Sequence, residues 1–177
     1  MTTTAQQKHD AERSPDWPAF RDKFIAAHPT CVSCGSRAGL QAHHIFPFHY
    51  CKALGRPDLE LNADNLIALC ETEQGTTSDN HHLLVGHLDD FESSNLDVVL
   101  DATKTFEGKN AAQIHADAGW QAKHASRLPH IEQMTPDDKA AFKWAMNLRF
   151  PSTASPPGPK PKLLPAWIPL DLRTPPR

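Results

Sequence analysis

Two groups of side chains in this sequence have types and spacings that could do chemistry. They are the cysteines at 31, 34 and 70 and the histidines at 43, 44, 81 and 82. Cys31-Val-Ser-Cys34-Gly35 has the spacing of a metal knuckle, a tight turn that points two thiolates at one ion, with Gly35 supplying backbone freedom. Tetrahedral zinc needs two further nitrogen or sulfur ligands. Cys70 and His81 supply them, which would tie together distant segments and add binding free energy to a small core. Cys51 is the competing fourth ligand. A redox role for the Cys31/Cys34 pair would need a thioredoxin-like βαβ pattern around it, and none is present.

The histidine pair His43-His44 reads differently. Successive strand residues face opposite ways, so the two rings cannot readily share one ion. They can divide labour, one binding a metal and the other facing a nucleophilic water. Imidazole suits both tasks, because it titrates near neutral pH and ligates divalent metals well. Phosphodiester hydrolysis needs an activated water, charge stabilisation on the phosphoryl oxygens and help for the departing oxygen. One histidine base and one metal ion meet all three needs. Asn65 and His82 stand downstream as further polar partners.

Short elements must position these residues. Ser14-Pro15-Asp16 is a helix start, with Trp17, Phe20, Phe24 and Ile25 on one face and His28-Pro29 ending the run. Residues 40–45 read as a strand, 46–64 as an irregular loop containing Pro47, Gly55 and Pro57, and 66–69 as a second strand. Residues 71–80 read as loop and 81–88 as a short helix. Helices follow over 96–106, ending at Gly108, over 110–127, capped by Asn110, and from Thr135-Pro136 to about residue 149. Trp120, Phe142, Trp144 and Leu148 have the spacing to pack those helices onto the core. The fold class is α+β: a small strand–strand–helix core with a zinc knuckle, surrounded by helices.

Composition sets the outer bounds. The 177 residues suit one modest domain, with 39% hydrophobic residues. Nine of the 16 prolines lie in 151–177, so that stretch reads as an extended, disordered tail. Residues 1–12 read as unstructured, 13–95 as the chemical domain and 96–150 as a helical extension packed on it. Net charge is −3: the tail carries four basic residues against one acidic, and the remainder 14 basic against 20 acidic. A nucleic-acid surface would have to be a local patch aided by a divalent cation. The first residues lack the apolar core of a signal peptide and no run is long enough to span a membrane. Cysteines in such a chain favour metal over disulfides, and a cytoplasmic location is expected.

Taken together, His43-His44-Ile-Phe-Pro47, Asn65-Leu-Ile-Ala-Leu-Cys70 and Asn80-His81-His82, after Cys31-x-x-Cys34, resemble the HNH endonuclease family with its ββα-metal (His-Me finger) fold. The match covers about residues 14–95, including Leu83-Leu-Val-Gly-His87-Leu, and points to the cysteine-knuckle subset of phages, mobile elements and bacteria. The resemblance implies a DNA-cutting enzyme with His44 as general base and His43 and His82 as ligands of a catalytic Mg²⁺, Mn²⁺, Ni²⁺ or Zn²⁺. It implies that Asn65 braces the loop that orients the base. Two departures stand out. His81 replaces the fourth cysteine of many relatives, so the structural zinc would have three thiolates and one imidazole. Colicin-type members use a second helix histidine four positions after the first, whereas His87 follows His82 by five, about 140° away on a regular α-helix; a helix break at Gly86 would let His87 swing in as a third ligand of the catalytic ion.

Arg37, His49, Lys52 and Arg56 are candidate DNA phosphate contacts. His28, His115, His124 and His130 have no motif context. The alternative to an enzyme is a catalytically inactive, zinc-stabilised module that binds DNA or protein, which the acidic balance favours. Nothing points to an RNA-reading module or to the immunity-protein interface of a nuclease toxin.

Overall fold

The computed structural model describes residues 13–71 and 79–173. The unstructured N-terminus expected over 1–12, most of the loop expected over 71–80, and residues 174–177 lie outside the described residues. The chain combines helices with one small antiparallel sheet of two five-residue strands, β1 (Leu40–His44) and β2 (Leu66–Cys70). Their register pairs His43 with Ile67 and His44 with Leu66. Every residue of β2 is buried, which explains its unbroken apolar run. Leu66 and Ala68 face helix α1 (Trp17–Ala27), through Trp17 and Phe24, while Ile67 and Leu69 join the main core.

The connection between the strands is more ordered than its composition predicts. The irregular loop expected over 46–64 instead holds α2 (Phe48–Ala53) and two 3₁₀ turns, Pro57–Leu61 and Ala63–Asn65. Pro47 caps α2, and Pro57 starts the next turn where its missing N–H costs nothing. Tyr50 and Cys51 point into the core, so this segment is fixed by burial as well as by local bonds.

Beyond the sheet, a π-helical turn runs from His82 to Gly86. A short α3 (Val98–Leu100) continues as a second π turn, Asp101–Thr105. The single helix expected over 110–127 is two, α4 (Ala111–His115) and α5 (Ala118–Ala125), because Asp117 caps the second with its carboxylate on the Gly119 and Trp120 amides. The longest helix, α6 (Pro136–Arg149), starts at a Thr135/Asp138 capping box. Phe142 lies 5.4 Å from Phe46 and 5.3 Å from Tyr50, ring centre to ring centre, which binds α6 to the β1–α2 segment. Trp120 and Trp144 are buried as expected, but Leu148 is 42% exposed, on the solvent side of α6.

The tail also differs from expectation. Residues 151–173 are mostly irregular, yet Ile168 is fully buried in the main core and α7 (Leu170–Arg173) forms a last short turn. Apolar density there is low, but Ile168, with Leu164, Trp167 and Leu172 packed partly buried against the same core, anchors the segment. No described helix is long and apolar enough to cross a membrane.

Arg56, a candidate phosphate contact, is buried and fully engaged. Its guanidinium makes a bidentate pair with Asp58 and donates to Asn147 Oδ1 and the Phe150 carbonyl, at 3.0 and 2.7 Å. It therefore pins the inter-strand connection to the end of α6. Replacing it strands buried acceptors, so Arg56→Ala should lose about 1–3 kcal/mol in chemical denaturation. The salt dependence of any DNA binding should stay unchanged; a variant of wild-type stability would contradict this role.

Candidate metal centres

The first centre is the sulfur cluster. Cys31, Cys34, Cys70 and His81 offer ligand atoms that all lie within 4.8 Å of one another. Cys34 Sγ sits 3.8 Å from Cys70 Sγ, close to the edge of a tetrahedron of thiolates around zinc, about 3.8 Å for 2.3 Å bonds. His81 Nδ1 lies 3.2 Å from Cys70 Sγ and 3.9 Å from Cys31 Sγ, bracketing the nitrogen–sulfur edge of about 3.6 Å expected there. Cys51 is not part of the cluster; it is buried in the core beside the Phe46 carbonyl.

Local structure aims these ligands. The knuckle closes through Gly35 N–H to the Cys31 carbonyl and Cys31 N–H to the Ser36 carbonyl, with Gly35 at φ +73°. Val32 N–H then bonds the Ala68 carbonyl, seating the knuckle against β2. On the other side His81 Nε2–H donates to the Lys109 carbonyl at 3.0 Å, the outer bond that fixes a ligand imidazole's tautomer. The hydrogen bond from the Cys70 thiol holds the Cys31 sulfur well below the usual thiol range, against the opposing effect of burial. The cluster is compatible with a structural zinc of three thiolates and one imidazole.

The second centre is an imidazole trio. His43, His82 and His87 place ligand nitrogens within 4.8 Å of one another. Ring centres are 5.3 Å apart for His43 and His82, and 4.8 Å for His87 with either. His43 Nε2 is buried with no hydrogen-bond partner, a costly state for a polar atom unless something else occupies the space. His82 Nδ1–H donates to Glu71 Oε2 at 2.8 Å and His87 Nδ1–H to the Ser93 carbonyl at 2.6 Å, leaving both Nε2 lone pairs available. Burial pushes His87 down to about 3 and His43 well below the ordinary histidine value, so both are neutral at physiological pH, as ligands must be. The residues present fit a divalent ion.

A regular α-helix would carry His87 away from His82. The chain instead makes a π turn, whose wider i to i+5 closure returns residues five apart to one face. Leu88 and Asp89 then take left-handed backbone angles, φ +52° and +62°, at about 1–3 kcal/mol each. That reversal brings Ser93 under His87. Gly86 completes the arrangement: a Cβ there would stand 2.9 Å from His43 Nδ1, so only glycine lets β1 and the π turn approach this closely.

His44 lies on the opposite side of β1, between Trp17 and Phe48. Its Nε2–H donates to the Glu60 carbonyl at 3.0 Å, which leaves Nδ1 as the acceptor nitrogen. Burial pushes His44 down to about 3, so the ring is neutral. Asn65, fully buried, accepts from Phe46 N–H and donates to the Phe46 and Leu59 carbonyls. It thereby locks the end of β1 to the peptide next to Glu60. Arg37 and Lys52 are exposed and His49 half-buried. Lys52 lines an open cleft of about 490 Å³ with Arg13, Ser14, Asp58 and Glu60.

Sequence reasoning missed Glu71 and the Glu60, Ser93 and Lys109 carbonyls. Glu71 had a signal, since it directly follows a candidate zinc ligand; the carbonyls had none. Compared with family models, curated proteins and solved structures, the chain matches none. The purified chain should carry one zinc equivalent by elemental analysis, lost together with the fold in Cys70→Ser. Gly86→Ala should keep that zinc but bind Mn²⁺ at the trio roughly tenfold more weakly by calorimetry, because the His43 ring must move. Unchanged Mn²⁺ affinity would refute the close-approach argument.

Proposed function

We propose that this chain is a metal-dependent endonuclease of the HNH type, hydrolysing DNA phosphodiester bonds on a ββα-metal core. One observation carries the reading. Three imidazoles converge beside the orphaned His43 Nε2 on one side of β1, while His44, one residue on, is oriented by the Glu60 carbonyl, next to the Leu59 carbonyl that Asn65 holds. The order of strand, braced connection, strand and helical turn supports the ββα-metal assignment. His43, His82 and His87 would hold a divalent ion such as Mg²⁺, Mn²⁺, Ni²⁺ or Zn²⁺, which supplies charge stabilisation at the scissile phosphate and at the leaving oxygen.

The protein's own part is orientation and proton transfer. Glu60 holds His44 in the tautomer whose Nδ1 can take a proton from water. A phosphodiester anion seated beside that buried ring favours the imidazolium, so proton affinity rises as substrate arrives. Asn65 acts through the backbone at Phe46 and Leu59 and touches no reacting atom. Arg37, His49 and Lys52 remain candidate phosphate contacts; Arg56 does not.

The acidic balance of residues 1–150 favours a second reading, a zinc-stabilised binding module without catalysis. Plasmid relaxation separates the two. With Mn²⁺ present the wild type should nick supercoiled DNA. His44→Ala should be slower by about 10²–10⁴-fold with Mn²⁺ affinity retained. Cleavage by His44→Ala at the wild-type rate would remove His44 as base, and Mn²⁺-loaded wild type that leaves DNA intact would favour the module.

A further inference from the structure

The two candidate metal centres are joined by two peptide bonds. Cys70 belongs to the sulfur cluster and Glu71, the next residue, bonds His82; His81 belongs to the cluster and His82, the next residue, to the trio. Among the described residues, Glu71 is the carboxylate that hydrogen-bonds an imidazole of the trio. Its placement is built in. Glu71 N–H donates to the Gly39 carbonyl at 2.7 Å, extending the sheet by one rung. Gly39 is at φ +58°, and a Cβ there would meet the Glu71 carbonyl oxygen at 2.0 Å, so the backbone of Glu71 is packed flush against that residue. The side chain is one-third exposed, while that of His82 is 15% exposed.

An all-imidazole ligand set brings no negative charge to offset a divalent ion, and an imidazole with no outer partner can present either nitrogen. Both deficits meet at Glu71. We propose that Glu71 is a positioning residue of the trio: its carboxylate fixes His82 with Nε2 turned to His43 and His87, and brings the centre its negative charge. Through Cys70 and His81, the zinc cluster sets where both Glu71 and His82 stand. This inference rests on the trio being a divalent-ion site, not on the ion's use in cleavage.

The test uses the full chain with Glu71→Ala and Glu71→Gln, titrated with Mn²⁺ and Ni²⁺ by calorimetry while zinc content is followed. Glu71→Ala should bind both ions 10–100-fold more weakly with its zinc retained. Glu71→Gln keeps an acceptor oxygen for His82 and should recover a substantial part of the loss. Long-range ¹H–¹⁵N spectra should show His82 protonated at Nδ1 in wild type and Glu71→Gln, and as a tautomer mixture in Glu71→Ala. Equal affinity in wild type and Glu71→Ala, or an unchanged His82 tautomer in Glu71→Ala, would overturn the proposal. If the wild type binds Mn²⁺ and cuts no DNA, the nuclease reading fails alone; if Glu71→Ala binds as wild type in a chain that cuts, this proposal fails alone.

Discussion

Two strands of five residues do not hold together in water on their own. The constraint on which the rest of this molecule depends is the convergence of Cys31, Cys34, Cys70 and His81, which draws the knuckle, the end of β2 and the start of the π turn to one point. Sulfurs packed this closely do not ionise independently: the thiol hydrogen bond between Cys70 and Cys31 pulls Cys31 down and pushes Cys70 up. A zinc ion held there would add binding free energy that counts toward folding. Core packing then adds to it: α1 closes one face of the sheet, and Phe142 of α6 packs on Phe46 just beyond β1.

The imidazole trio inherits its geometry from that point. His82 follows His81 and Glu71 follows Cys70, so each is placed within one peptide of a cluster ligand. His43 comes from the paired strand, and its neighbour His44 is sent to the opposite face by strand geometry alone. Asn65 spends every polar atom of its side chain on the backbone around that face, at Phe46 and Leu59. The first π turn and the left-handed Leu88-Asp89 pair flank His87 and are sustained by the Ser93 contact and the buried Leu88. Unfavourable backbone collects where a side chain must be aimed.

What could be read from the chain were features carried by a short run of residues. The Cys-x-x-Cys knuckle, the split of His43 from His44, the Thr135 cap and the buried run of β2 each follow from local rules. His87 was legible only as a ligand conditional on a helix break at Gly86, because α-helical spacing turns it away from His82 and nothing in His-Leu-Leu-Val-Gly announces a π turn until β1 is packed against Gly86. Arg56 looked like a phosphate contact because an arginine in a polar loop usually meets solvent. Its partners Asn147 and Phe150 lie more than 90 residues away, beyond the reach of any local pattern. Residues 46–64 looked irregular because their order comes from Tyr50, Cys51 and Leu59 being buried, a tertiary effect.

The central claim is that two distinct metal centres stand side by side, sharing the Cys70-Glu71 and His81-His82 steps. Anomalous diffraction from a crystal of the full chain soaked in Mn²⁺, collected at the zinc and manganese absorption edges, tests it most directly. The account predicts a zinc peak among Cys31, Cys34, Cys70 and His81, and a separate manganese peak among His43, His82 and His87. A zinc peak alone, with His43 Nε2 bonded to another protein group, would contradict it.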